Sequence, residues 1–185
     1  MTTAFRSAGR RQRRHLRTFP GVAIQDIDRA TLVFARTRGH APSVERAVAI
    51  YSRAGEHAAG WLALGLAGAA LSRQPERRRA WLRGVRIVAA SYGVNQAVKF
   101  AVRRHRPELD RLPPLTPTVT RLSFPSAHAT TSFAAARAYA GLLPACALYT
   151  AAGALALSRP YLGVHYPSDV AAGALLGTAV ADLWP

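Results

Sequence analysis

Apolar residues in this chain come in blocks. From residue 56 onward, runs of Ala, Leu, Gly and Val alternate with short polar segments. The blocks predict helices over about 56–72, 80–102, 126–143, 145–158 and 167–184. Arg73 to Arg79, with Pro75, breaks the first from the second, and Pro167 opens the last at a position that suits a helix start. Residues 103–124, with Pro107, Pro113, Pro114 and Pro117, read as a loop. The fourth block is short for a hydrocarbon core of about 30 Å and can borrow Pro144 and the residues up to Tyr161. Gly, Ala and Ser within the blocks suit close helix packing in lipid. The expected fold class is all-α: an integral membrane helical bundle of about five spans.

Before residue 56 the pattern changes. Residues 21–38 set Val22, Ile24, Ile27, Leu32, Val33 and Phe34 among Asp26, Asp28, Arg29 and Arg36. That is too charged to span and reads as an amphipathic helix lying at an interface. Residues 43–55 repeat the pattern, with Ser43 as the expected cap. Residues 1–20 are polar and basic, and no apolar core of signal-peptide length follows them. The expected organisation is a basic flexible tail (1–20), amphipathic interfacial helices (21–55) and a membrane domain (56–185).

Composition sharpens this picture. Half the chain is apolar, yet its formal net charge is +16. A nucleic-acid binder can be as basic, but long charge-free apolar blocks with basic residues between them are the pattern of a membrane protein with basic rims. No nucleic-acid partner is expected. The single cysteine, Cys146, cannot form an internal disulfide and is read as a packing residue. Of the 25 Lys and Arg residues only Lys99 is a lysine, so a compact ammonium is kept at one place in an arginine-rich chain.

The candidate chemistry sits at block ends. Lys99, Arg103 and Arg106 close the second block; continued as a helix, they are spaced to share one face. Ser126, Ala127 and His128 open the third, where a helix N-terminus offers free N–H groups to an anion. Arg159, His165 and Asp169 bridge the fourth and fifth. His165 with a carboxylate four residues on has the form of a nucleophile and its orienter. In a serpentine chain these ends gather on one side of the membrane. Glu56 and His57 open the first block on that same side and either pair with an arginine or read a substrate headgroup. Asn95 and Gln96 read as interhelical hydrogen-bonding groups, and Asp110 and Arg111 as loop charges.

Lys99 followed by Arg106-Pro107, then Pro125-Ser126-Ala127-His128, then Ser158-Arg159, His165 and Asp169 resemble the signature of the type 2 phosphatidic acid phosphatase (lipid phosphate phosphatase) superfamily. Vanadium haloperoxidases share that signature. The one departure is Ala127, where the family usually has Gly. The resemblance runs from about Lys99 to Asp169. It implies that His165 attacks phosphorus to form a phosphohistidine, that Asp169 fixes the tautomer, and that His128 protonates the leaving oxygen and then activates water. It also implies that Lys99, Arg106, Ser126, Ala127 and Arg159 bind the phosphate oxygens, with no metal ion and no cofactor. Arg103, Glu56 and His57 are further substrate-contact candidates.

Five spans put residues 1–55 and the catalytic loops on one face. Outside the spans, with Lys99, Arg106 and Arg159 set aside, basic residues number fifteen on that face against four on the other. The positive-inside rule then places the site on the cytoplasmic face of a bacterial inner membrane; residue 116 in the loop is the natural labelling position. Phe124 to His128 and the short loop are similar to the subfamily acting on decaprenylphosphoryl-5-phosphoribose, a cell-wall arabinan precursor. The alternatives are a phosphatidic acid or phosphatidylglycerophosphate phosphatase, a prenyl diphosphate phosphatase, a soluble haloperoxidase (which the apolar blocks speak against) and a non-catalytic membrane scaffold.

Overall fold

The computed structural model describes residues 24–185. The elements are α1 (Ile24–Thr37), α2 (Pro42–Arg53), a 3-10 turn (Glu56–Ala58) leading into α3 (Ala59–Leu71), α4 (Pro75–Val102), α5 (Ala127–Tyr139), α6 (Ala145–Tyr161) and α7 (Pro167–Asp182). The described residues contain no strand, only an isolated bridge between His105 and Leu122. The basic tail expected over 1–20 lies outside the described residues. The all-helical class and the five helices after residue 56 are as expected. No helix among the described residues is long and apolar enough to cross a membrane. The more apolar helices are short, while the 28-residue α4 begins with Arg77, Arg78 and Arg79 and also carries Arg83 and Arg86.

α5 is the centre. It packs against α4, α6 and α7 and touches α3. Its composition makes this feasible: Ala129, Thr130, Thr131, Ser132, Ala134, Ala135 and Ala136 are all buried, and none is large. The hydroxyls are satisfied locally. Thr130 Oγ1 donates to Ser126 O at 3.0 Å, and Ser132 Oγ accepts the indole N–H of Trp61 at 2.9 Å. α7 meets α5 through glycines. A Cβ on Gly177 would lie 2.0 Å from Thr130 O, and one on Gly173 would lie 2.6 Å from Ser126 O. At the far end of α5, Tyr139 is fully buried against Trp81 and donates to Trp61 O.

Several local expectations are corrected. Residues 103–106 do not continue α4: Arg103 is a left-handed C-cap (φ 55), and its N–H bonds Lys99 O at 3.0 Å. Pro107 disfavours a helical residue before it, so Arg106 reaches the site from a loop and shares no helix face with Lys99. α2 is capped at Ala41 with Pro42 in its first turn, not at Ser43. Cys146 is exposed rather than packed.

α1 is amphipathic as expected, and its charged stripe is the side turned to the bundle. The residues it buries are Asp28, Leu32 and Arg36, one helical stripe; Ile24, Ile27, Val33 and Phe34 are exposed. The charges turn inward because they have partners there. Arg36 Nη2 donates to Pro113 O at 2.9 Å and Nη1 to Tyr161 O at 3.3 Å. Asp28 is engaged beside the candidate site.

The glycine contacts give a stability test. Gly177→Ala is expected to cost about 1–3 kcal/mol, because the backbone of α5 must move. Gly93→Ala, in open space on α4, should hold or raise the melting temperature. Thermal unfolding of both variants in one detergent checks this; an unchanged Gly177→Ala midpoint would contradict the close α5–α7 contact.

Candidate functional site

The motif residues converge at one end of the bundle. Lys99, Arg106, Ala127, His128, Arg159 and His165 line a single cleft, together with Glu56, His57, Tyr92, Gln96 and residues 117–120. Its open space is about 110 Å³. Small-molecule pockets commonly run to roughly 300–1,000 Å³, so the cleft holds a headgroup rather than a whole lipid.

Two backbone links set the geometry. Ser126 N donates to Asp169 O at 3.0 Å, tying the start of α5 to the start of α7. Asp169 is the third residue of α7, and its Oδ2 accepts the N–H of Tyr166, the N-cap, at 2.9 Å. This is the carboxylate half of a capping box. It places Oδ2 3.5 Å from His165 Nδ1. On the other side of the ring, Arg106 Nη1 stands 3.1 Å from His165 Nε2. A guanidinium can only donate, so Nε2 is the acceptor, and the ring proton belongs on Nδ1, toward Asp169. His165 is buried, and its pKa is held well below the usual histidine value, first by burial and then by the charges of Arg106, Arg159 and Lys99. The imidazole is therefore neutral, with the lone pair on Nε2.

The cations are held by neutral oxygens. Lys99 Nζ donates to Pro125 O at 2.9 Å and to Ser123 O at 3.4 Å. Arg106 donates through Nε to Thr120 O at 2.8 Å and through Nη1 to Val164 O at 2.7 Å. Burial lowers its pKa to about 10, which leaves it charged at neutral pH. Arg159 Nη1 donates to Ser52 Oγ at 2.6 Å. None of the three has a carboxylate within ion-pair distance among the described residues, so their charge is available to an anion. Ser126 Oγ, Arg159 Nε and His165 Nδ1 are buried without a hydrogen-bond partner among the described residues; Asp169 Oδ2 faces His165 Nδ1 at ion-pair rather than hydrogen-bond distance. Ser126 occupies the N-cap position of α5, but its hydroxyl bonds no helix N–H. Ala127 is the first residue of α5 and does not have positive φ, so the Gly-to-Ala departure brings no backbone strain.

His128 is held from the N-terminal side: Nε2 lies 2.9 Å from Ser52 O. That carbonyl is an acceptor, so Nε2 carries a proton and Nδ1 is left for proton transfer. Gly55 makes the room, since a Cβ there would sit 2.6 Å from His128 Cδ2. Glu56 and His57 stand at the rim, and His57 hydrogen-bonds the Tyr92 hydroxyl through Nδ1 at 2.8 Å. His57 and Ala58 both have positive φ, at 50° and 61°. Arg103 does not line the cleft; as the exposed left-handed cap of α4 it leaves the site to Arg106.

Ser52 and Asp28 were not legible as site residues; Arg104 read as an extension of the basic face beside Arg103, not as a partner of Asp169. Ser52 serves Arg159 with its hydroxyl and His128 with its carbonyl. Arg104 Nη1 donates to Asp169 Oδ1 at 2.8 Å and Nη2 to Asp28 Oδ2 at 2.8 Å. A signal for Asp28 did exist: Asp28, Leu32 and Arg36 share the i, i+4 stripe that becomes the inner face.

The PAP2 superfamily model matches residues 80–184. The chain is 44% identical over 136 residues to the decaprenylphosphoryl-5-phosphoribose phosphatase of Mycobacterium tuberculosis, covering 71% of this chain and 73% of that protein. The protein of the same name from Mycolicibacterium smegmatis is 43% identical over 134 residues, covering 71% and 72%. Among solved structures, Aquifex aeolicus LpxE superposes with a TM-score of 0.73 at 20% identity, covering 85% of this chain and 93% of that one. A PAP2-type phosphatidylglycerolphosphate phosphatase from Bacillus subtilis gives 0.71 at 22% identity, covering 89% and 85%. These two likenesses show the fold. With a family model over more than half its length and close relatives along most of it, the chain belongs to the PAP2 superfamily and is a lipid phosphate phosphatase.

Proposed function

We propose that this phosphatase removes the terminal phosphate from a polyprenyl-phosphoryl sugar phosphate, decaprenylphosphoryl-5-phosphoribose, through a phosphohistidine. The observation that carries the mechanism is the 3.1 Å approach of Arg106 Nη1 to His165 Nε2: a donor there assigns the proton to Nδ1 and the lone pair to Nε2, at the cationic cleft. In the first step Nε2 bonds to phosphorus, the ester P–O bond breaks, and the sugar oxygen takes a proton from the imidazolium of His128. In the second step water gives a proton back to His128 and attacks phosphorus. The P–N bond breaks, releasing inorganic phosphate and neutral His165. Lys99, Arg106, Arg159, Ser126 and the N–H of Ala127 hold the non-bridging oxygens through both steps. Asp169 keeps the Nδ1 proton in place and stabilises the charged ring.

Two features support the sugar phosphate. Two relatives that are 43–44% identical act, by their names, on that lipid. Beside the cations the cleft is lined by Glu56, His57, Tyr92, Gln96, Thr118 and Thr120. Those groups hydrogen-bond hydroxyls, as a pentose offers, while Glu56 opposes the extra negative charge of a diphosphate.

The reading also places the bundle in a bacterial inner membrane as a multi-pass protein, with residues 56–185 as the membrane domain and α1 and α2 at the interface. The outward apolar face of α1 supports this. So does the exposure of Leu66, Leu71, Phe100, Leu157 and Leu175 on the helices. The basic-residue count supports a cytoplasmic site.

Phosphate release from a panel of lipid phosphates by the purified protein tests the substrate. Release should be greatest from the polyprenyl-phosphoryl pentose phosphate, and His165→Ala should abolish it, a loss of at least roughly a thousandfold. Preference for phosphatidic acid would overturn the substrate assignment, and an active His165→Ala would overturn the mechanism. Ser52→Ala frees the guanidinium of Arg159, so product inhibition by inorganic phosphate should weaken roughly five- to tenfold, about 1–1.4 kcal/mol. An unchanged inhibition constant would separate Ser52 from the phosphate site. For sidedness, Thr116 is buried, so Val119, which is 81% exposed, is the better position. In a Cys146→Ser background, Val119→Cys in intact cells should resist an impermeant thiol reagent; labelling from outside would reverse the orientation.

A further inference from the structure

Asp28 lies outside the stretch matched by the family model, yet it is 3% exposed and its two oxygens accept three hydrogen bonds. Its Oδ1 accepts the N–H of Ser168 at 2.9 Å. Its Oδ2 accepts Arg104 Nη2 at 2.8 Å and the hydroxyl of Ser168. Burial raises its carboxyl pKa, but the bonds from Arg104 and Ser168 outweigh burial and hold it below the ordinary value. The group is a carboxylate at neutral pH.

Arg104 therefore forks between two buried acids. Nη2 goes to Asp28; Nη1 goes to Asp169 Oδ1 at 2.8 Å and to Ser168 Oγ at 2.7 Å. Its guanidinium lies over the Tyr166 ring, 4.1 Å from the centroid. A guanidinium facing one carboxylate prefers to bind it with two parallel N–H groups. On Asp169 that arrangement would engage both oxygens. Here Asp28 takes the second arm. Asp169 meets Arg104 through Oδ1 alone; Oδ2 accepts the Tyr166 N–H and faces His165 Nδ1 at 3.5 Å, a nitrogen with no hydrogen-bond partner among the described residues.

We infer that Asp28 of α1 is a positioning residue for the phosphatase reaction: by holding Nη2 of Arg104 it keeps Oδ2 of Asp169 on the nucleophile His165. The inference rests on the phosphohistidine reading. α1 is then a working part of the active site rather than only a surface helix. Its contribution falls on the chemical step, because neither Asp28 nor Arg104 lines the substrate cleft.

The test uses the full chain in detergent. Asp28→Asn keeps the shape but removes the charge that holds the second arm. The expected result is a fall in kcat of about tenfold, with KM changed by less than twofold and a comparable folded fraction by circular dichroism. Asp28→Asn combined with Arg104→Gln should be no slower than Arg104→Gln alone, because the two act through one path. Arg29→Gln, on an exposed position of the same helix, serves as the unchanged control. Should Asp28→Asn fail to fold, Ser168→Ala removes one hydroxyl from the same network, with kcat expected to fall about threefold at constant KM. A wild-type kcat in the folded Asp28→Asn variant overturns the inference. So does a loss that adds to that of Arg104→Gln, or, in its place, a wild-type kcat in Ser168→Ala. His165→Ala run in parallel separates the outcomes: activity surviving there removes the phosphohistidine reading itself, whereas an inactive His165→Ala beside a fully active Asp28→Asn removes only the role of Asp28.

Discussion

The structure depends on how closely α5 and α7 approach. Glycines on α7 let it lie against the carbonyls of Ser126 and Thr130. At that separation the N–H of Ser126 reaches the carbonyl of Asp169. One backbone bond thus joins the helix start that carries Ser126, Ala127 and His128 to the one that carries Asp169, with His165 four residues before it. A larger residue at either glycine would part the two helix starts before altering any reacting group. Small residues along α5 serve the same end, since they bring α4 and α6 close enough to deliver Lys99 and Arg159.

Three like charges gathered in a buried cleft repel one another, and the fold answers with dipoles instead of counter-charges. Lys99 and Arg106 rest on main-chain carbonyls, and Arg159 rests on a serine hydroxyl. A carboxylate would have neutralised them and competed with a phosphoryl group. The acids near the nucleophile, Asp169 and Asp28, are instead tied to a different arginine, Arg104. The site keeps two electrostatic compartments: one cationic and facing the cleft, one balanced and behind the imidazole.

Much of this was legible from the sequence, for a physical reason. Helix ends are set by Pro, by cap residues and by the length of apolar runs, and the motif residues sit at such ends. Their gathering followed from the serpentine path. Arg106 was misassigned to the face of Lys99 because the spacing fits a helix, although Pro107 already argued against one. Ser52 and Asp28 stayed hidden because a lone polar residue on an amphipathic stretch looks like a solvated one. Their meaning comes from docking: Asp28 meets Arg104 and Ser168, 76 and 140 positions away, and nothing local records that. The sequence showed α1 as an amphipathic helix but not that its charges pair toward the bundle while its apolar residues stay outside.

That inward stripe of charges makes the phase of α1 a quantity under constraint. Each residue turns an α-helix by about 100°. Losing one position between Asp28 and Leu32 would swing the carboxylate a quarter-turn or more out of the protein while leaving the helix as long and as greasy as before. The spacing of Asp28, Leu32 and Arg36 thus works like a key cut, with tolerance to change in side-chain oiliness and none to change in count.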